Sequence, residues 1–563
     1  MDSFLGARSV RPKAKEFFAA YDFRILAAPT KRERSTIENR LKADFQVAQL
    51  HKEYEEGFLE QHRAHDALFQ WQVAVVGGEK TGGDPDLAKL FLERNAQLLA
   101  PGGWTGVVVP SAFHANEGAT GIRRLYLEKM ALKCCYSFEN RRKLFEIHSS
   151  FKFALVVTST GGPTSEFPCA FYLHDDEWIF SEQQAGQALR FTLDFVRLTR
   201  GEHLSLLELR SPADLELAEL AFQTGHRFGE VAGHLGIHFG RELHMTDDSW
   251  RFVPAVDVLA SPGDPREPGL RENLLRQGYV VLYEGKSFWH FDDRWGDACR
   301  YLVPLASLGS RSEWVSALAH YRALHRKVAS ATNERTAVFC VVCPGVMSGE
   351  SCIADARPMA RPTSALLFLV SQANSFTFDW CARQLVGANL SGHIRDGLPV
   401  PLPTPDRFLS HCALRLTCNH AGYASLWKEQ IGDAWRELDK APFTWPVLTS
   451  EEERWEVRSA IDAVVADAYG LSRDQYEHVL HSFDRASGPN PYTEICLEKY
   501  DEFKAIGPDA FTKKYDPYWD IPLVESLPKP VIDLPLPNPE RSGPQTTMEL
   551  DAKSDGEDRR RRR

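Results

Sequence analysis

The sequence predicts an α/β layer, followed by a mixed α+β region and then a helical C-terminal region. Three observations predict it. A well-marked helix start leads through a glycine turn into a short continuous apolar run near residue 105, aromatic-rich apolar runs recur between glycine- and proline-rich loops from about 165 to 405, and helix-period patterns dominate from Phe408 to about Leu480. Length and composition agree with several packed units. The 563 residues are about three to four times a typical domain, and 43% hydrophobic with 25% charged residues lies near the globular average. A single small module is excluded. Apolar runs of about 18 residues are absent, and Met1–Lys15 is polar and basic without the apolar stretch a secretory signal needs, so a cytoplasmic protein is expected.

From about Lys13 to Phe69 the chain is strongly charged, with apolar residues such as Leu41, Phe45, Leu50 and Tyr54 spaced as in amphipathic helices. Gly77–Gly83 breaks that pattern. Asp84-Pro85-Asp86 then supplies an N-cap, a proline at the first helical position and an acid in the first turn, and Pro101-Gly102-Gly103 ends the helix. Thr105–Pro110 reads as a strand covered on both faces. A helix at Ile122–Lys129 and strands at Cys134–Phe138 and Phe153–Thr158 follow, and the layer is expected to end near residue 160. Within the mixed region, strands are expected at Tyr279–Tyr283 and Val338–Val342, with a loop at Ala260–Gly269. Pro399–Pro405 reads as a proline-dense linker, and beyond about Pro528 a proline-rich, then acidic, then arginine-ended tail reads as disordered.

The candidate chemistry is sparse. Eleven cysteines, an odd number placed mostly in apolar runs such as Cys134-Cys135, read as reduced thiols. Cys340-Val341-Val342-Cys343, with Cys352 beyond, has the spacing of half a zinc site. Cysteines three apart on a strand point to opposite faces, however, so core thiols are expected; Cys412, Cys418 and His420 join only if the fold brings them close. Glu284-Gly285-Lys286 with Asp264 upstream has the acid-x-lysine pattern of metal-dependent nucleases, but such triplets arise by chance in a chain of this length. His114, His148, His238 and His290 lack a recognisable nucleophile turn beside them and read as structural or contact residues. Gly77-Gly78 and Gly82-Gly83 lack the lysine-serine/threonine end of a phosphate loop.

The balance of 66 basic against 77 acidic residues, a net charge of -11, argues against a surface that is basic throughout. Clustering still counts. Arg123, Arg124, Lys129, Lys133, Arg141, Arg142 and Lys143 fall in a short span interleaved with Phe138, Phe145, Phe151 and Phe153. Cations neutralise phosphates and aromatic rings stack on unpaired bases, which makes nucleic acid one reading; a solvated helix face over core phenylalanines is the other.

The order of motifs is specific. Asp84-Pro85-Asp86-Leu87, Phe91-Leu92-Glu93-Arg94, Pro101-Gly102-Gly103, Val108-Val109-Pro110-Ser111, Phe138-Glu139-Asn140-Arg141-Arg142-Lys143, Leu144-Phe145 and Ser149-Ser150-Phe151-Lys152-Phe153 resemble the downstream half of adenine-specific DNA methyltransferases of the type IIG restriction-modification and BREX- or DISARM-like phage-defence kind. Leu282-Tyr283-Glu284-Gly285-Lys286, Phe291-Asp292-Asp293-Arg294, Thr332-Asn333-Glu334-Arg335-Thr336, Asn374-Ser375-Phe376, Asp379 and Ala382-Arg383-Gln384 resemble that family's target-recognition region, and Asp462 with Tyr469-Gly470-Leu471 its helical end. The resemblance spans most of residues 13 to 505. It implies a partial Rossmann-like methyltransferase sheet, a mixed α+β target-recognition domain and a helical C-terminal region.

The family's catalytic parts are missing. Neither the acidic and glycine-rich S-adenosylmethionine motif nor an Asn/Asp-Pro-Pro-aromatic motif occurs; Asn490-Pro491-Tyr492 and Asp516-Pro517-Tyr518 each lack a proline and lie after the recognition region. The resemblance therefore implies a helical segment over 1–83 downstream of the missing motif, the end of the sheet domain over 84–165, target recognition over 166–405, helices over 406–527 and a tail over 528–563. It implies methyl transfer from S-adenosylmethionine to adenine in double-stranded DNA only with a partner polypeptide carrying the N-terminal catalytic half. A non-catalytic specificity subunit and a truncated remnant are the alternatives. By the same resemblance Phe145 stacks on the flipped base, while Arg141, Arg142, Lys143, Lys152, Lys286, Arg294, Arg335 and Arg383 contact DNA; buried structural ion pairs compete for the last two.

Overall fold

A computed structural model describes residues 13–28, 31–81, 86–149, 151–181, 186–259, 262–309, 311–402, 406–437 and 440–534. The chain forms two compact units, 1–219 and 220–563. The fold is mixed α+β, with several sheets and a helical C-terminal region.

The first unit opens with helices, Lys31–Lys42 and Phe45–Leu68 among them, gathered on Phe18, Ile25 and Val47. A hairpin of β1 (Ala74–Val76) and β2 (Glu79–Thr81) follows. Asp84 and Pro85, expected to start the next helix, lie outside the described residues. Asp86 caps the helix Leu87–Leu98 by accepting from the Lys89 amide at 2.9 Å. The glycine turn then leads into β3 (Trp104–Pro110), as the apolar run predicts.

The remaining strands are β4 (Met130–Glu139), β5 (Lys152–Thr160), β6 (Glu166–Leu173) and β7 (Leu189–Thr192). They form one sheet in the order β3-β5-β4-β6-β7. Both β3 and β4 are antiparallel to β5, so they run parallel to each other with β5 returning between them; Trp104 pairs with Ser159 and Glu139 with Lys152. The sheet does not stop near residue 160. β6 pairs parallel to β4, and β7 antiparallel to β6. The connection between β3 and β4 is helical at Thr120–Arg124 and widens into a π-helical turn at Leu125–Lys129. Phe153, Ala154 and Val156 of β5 and Cys135 and Phe138 of β4 are buried, which sets the sheet in the core.

The second unit holds an antiparallel pair, β8 (His226–Arg227) with β17 (Pro399–Val400), and two four-stranded sheets. One joins β10 (Val253–Pro254), β12 (Tyr301–Pro304), β11 (Tyr279–Tyr283) and β15 (Val346–Ser348), and the other joins β14 (Phe339–Val342), β13 (Arg322–Arg326), β16 (Cys352–Asp355) and β9 (Phe239–Gly240). Val281, Leu302, Leu324, Cys340, Val342 and Cys352 meet in one core cluster, fed in part by β11 and β14, which are apolar on both faces. Helices Thr363–Ala373, Phe376–Arg383, Asp406–Thr417, Glu451–Ala468, Arg473–His481 and Thr493–Tyr515 complete the unit. Ser450 and Glu453 form a capping box at the head of Glu451–Ala468.

Of the expected tail, residues 528–534 are described and docked. The Val531 amide donates to the Ala319 carbonyl at 2.8 Å, and Leu534 packs on the cluster of Leu305, Leu308 and Val315. The rest of the tail, like Pro403–Pro405 of the linker, lies outside the described residues. All eleven cysteines are unpaired, ten of them buried and Cys134 half-buried. No helix among the described residues is long and apolar enough to cross a membrane.

Candidate nucleic-acid interface

The turn after β4 carries most of the first unit's candidates, and a buried asparagine builds it. Asn140 donates to the carbonyls of Phe145 (2.9 Å) and Ile147 (3.0 Å) and accepts from the Phe145 amide (3.0 Å), which closes residues 140–147 into a fixed loop. Lys143 stands in the left-handed region at φ 54° at the tip. The half-buried Phe145 ring meets Phe153 edge-on, 4.8 Å between centroids.

Carboxylates compensate most of the cations there. Arg141 pairs with Glu139 at 2.6 Å and Arg142 with Asp175, while Lys152 binds Glu208 at 2.6 Å and lies 3.8 Å from Glu139. Arg123 is not on a surface at all. It is fully buried and donates to the carbonyls of Phe113, Asn116 and His203. Burial raises the Glu208 carboxyl, but the hydrogen bond from His114 at 3.1 Å and the Lys152 ammonium bring it down to about 2. Lys143, exposed, has no ion pair among the described residues.

In the second unit Lys286 is exposed, 3.9 Å from Glu284, and Arg294 pairs with Glu267 at 2.7 Å. Arg335 is buried against Asp379 at 2.6 Å and over the Phe376 ring. Arg383 lies 3.9 Å from Asp379, packs on Phe483 and donates to the carbonyls of Ser482, Asn333 and Glu334. The candidates thus fall into an exposed group (Arg141, Arg142, Lys143, Lys286) and an embedded one.

The nuclease and zinc patterns resolve differently. Glu284 grips Arg300 at 2.8 Å and caps a short turn, while Asp264 holds Arg266 at 2.7 Å; neither belongs to a three-ligand cluster among the described residues. One cluster does form, from Asp293, Cys343 and His420, all buried, with ligand atoms within 4.8 Å of one another. Cys412 and Cys418 stay outside it. His420 places Nε2 2.9 Å from Asp293 and accepts from the Gly422 amide at Nδ1 (3.0 Å), so both ring nitrogens are engaged. Burial pushes the Cys343 thiol up; burial also raises Asp293, but His420 and Arg271 outweigh it and bring that carboxyl to about 2. Asp293 Oδ1 and both nitrogens of His420 are thus engaged, while Asp293 Oδ2 is buried without a hydrogen-bond partner. Spacing alone missed Asp293 because it is 127 residues from His420.

No family model and no curated protein matches the chain. Solved structures to which it is similar include the Type IIL restriction-modification enzyme MmeI in complex with DNA, at 12% identity over 76% of this chain and 54% of that one, with a TM-score of 0.36. A DrdV–DNA complex is 11% identical over 80% and 54%, TM-score 0.36. A nuclease-deletion mutant of the Type ISP restriction-modification enzyme LlaGI with a DNA substrate mimic is 10% identical over 79% and 42%, TM-score 0.37. The chain therefore spans about half the length of these proteins, and superpositions this loose do not establish a shared fold.

Proposed function

We propose that this chain is the DNA-binding, target-recognition half of a site-specific DNA adenine methyltransferase of a restriction-modification or phage-defence system. The observation that carries the reading is topological. β3 and β4 are parallel with β5 returning between them, and among the described residues β3 bonds on one side only, to β5. An edge strand of seven residues in a mixed sheet presents a row of backbone groups for pairing, which favours further strands supplied by a catalytic half outside these 563 residues.

Among the described residues the first unit offers S-adenosylmethionine no holder. Glu139 and Glu208, at the end of the sheet, are engaged by Arg141, His174, His114 and Lys152, so neither is available to a ribose. This chain's own residues would grip: Lys143, Arg141 and Arg142 on phosphates from a loop fixed by Asn140, and Phe145 against the extruded base. The same engaged carboxylates favour the second reading, a specificity subunit without chemistry of its own.

The test is reconstitution. Purified chain with labelled S-adenosylmethionine and duplex DNA should transfer no methyl group alone and transfer it after addition of the catalytic half. DNA binding without transfer in either case selects the specificity subunit; absence of DNA binding at low salt sinks both.

A further inference from the structure

The second unit contains a cavity of about 320 Å³, within the roughly 300–1,000 Å³ range of small-molecule sites. Distant stretches build it: the strand end after β11, the segment before β14, the helix Glu451–Ala468 and the turn that leads into the helix Thr493–Tyr515. Its apolar surface is aromatic. Tyr492 stacks on Trp455 with centroids 3.3 Å apart and planes 15° apart, and Trp289 lines the cavity as well. Trp455 covers one face of Tyr492, and the other face has no ring contact among the described residues; flat faces of this kind bind planar rings.

Its charge is unbalanced in one place. Of the three arginines that line it, Arg335 is neutralised by Asp379 at 2.6 Å and Arg485 by Glu334 at 3.2 Å. Arg458 has no carboxylate within ion-pair distance among the described residues; its NH2 group reaches the His290 carbonyl at 3.3 Å, and its buried Nε has no partner. Burial, then the neighbouring Arg454, pull this guanidinium down to about 10, so it stays cationic at neutral pH. Asp462, one turn further along the helix, is spent on the Phe376 amide at 2.6 Å. A largely buried cation without a counter-ion is destabilising, and an anion in the cavity would offset that.

We propose that the cavity binds a nucleoside monophosphate, with its ring on the face of Tyr492 turned away from Trp455 and its phosphate on Arg458. The inference goes beyond the DNA-reading role and does not rest on it. Base identity should count for little. Asn490, the polar side chain beside Tyr492, spends its oxygen on the Tyr492 amide (3.2 Å) and its NH2 on the Leu480 carbonyl (3.3 Å), which leaves stacking and the phosphate as the points of recognition.

The full chain titrated with deoxyadenosine 5′-monophosphate should show saturable heat and quenched tryptophan fluorescence. Deoxycytidine 5′-monophosphate should bind within a few-fold of it, and unphosphorylated deoxyadenosine at least tenfold more weakly. Arg458→Met should erase the preference for the phosphorylated ligand. Should that variant fail to fold, Glu334→Gln on the exposed rim serves instead: loss of the acid that neutralises Arg485 should tighten deoxyadenosine monophosphate at least twofold and leave deoxyadenosine unchanged. Competition by a 5′-phosphorylated single-stranded oligonucleotide supports a strand end as the source of the ligand, and its absence supports a free nucleotide. No saturable binding at millimolar ligand, or equal affinity with and without the phosphate, overturns the proposal.

Discussion

Asp462 shows how one buried carboxyl makes stability depend on pH. It sits inside the second unit with its Oδ1 on the Phe376 amide at 2.6 Å, and burial raises it to about 7 against the pull of Arg335 and Arg458. The folded state therefore holds this proton more tightly than the unfolded chain, whose carboxyl titrates near 3.8. Its contribution falls as pH rises from about 4 to about 7 and is level above that. Asp462→Asn keeps an oxygen for the Phe376 amide, so the variant should gain on the native protein across this window by an amount on the order of a few kcal/mol. Urea midpoints taken from pH 4.5 to 7.5 check it; a constant difference between the two proteins would count against it. Asp379 acts through its hydrogen-bond partners. It accepts from Arg335 at 2.6 Å and from the amides of Thr336 and Ala337 at 3.0 and 3.1 Å. Asp379→Ala strands a buried guanidinium and two amides, and should cost about 3–5 kcal/mol in denaturant unfolding.

At the scale of elements, strands and helices with strong local patterns were legible, and those shaped by distant partners were not. Tyr279–Tyr283 is a strand over the residues the apolar run predicts, and Thr105–Pro110 lengthens only by Trp104. β6 and β7 escaped because Pro168 interrupts the first and the second is four residues long, so neither shows a sustained period. The loop 140–147 is the instructive case. Its cations were visible in sequence, but its cause, the Asn140 side chain folded back on Phe145 and Ile147, depends on a turn geometry that spacing does not encode. Asn140→Ala leaves two carbonyls and an amide without their partner. A loss of about 1–3 kcal/mol is expected, together with faster amide exchange at Phe145 than in the native protein. Unchanged exchange there would mean that other contacts hold the loop.

Across the whole molecule, a net charge of -11 means that DNA can be held only where cations escape local compensation. That escape could not be read from the sequence. The carboxylates that neutralise Arg142, Lys152 and Arg335 lie 33, 56 and 44 residues away along the chain. Each paired cation meets a phosphate only by leaving a carboxylate, so the exchange releases little net electrostatic energy, whereas Lys143 has no ion pair among the described residues to give up. Salt dependence of duplex binding separates the two groups, because each phosphate neutralised contributes about 0.9 to the slope of log affinity against log salt. Lys143→Ala keeps a Cβ at the same strained φ and should lower that slope by about one unit with unchanged stability. Asp175→Asn removes the partner of Arg142 without removing a cation. It should therefore tighten binding and steepen the slope. If Lys143→Ala leaves the slope as it was and Asp175→Asn leaves affinity as it was, this turn does not face DNA, and the interface must be sought on the second unit through Lys286.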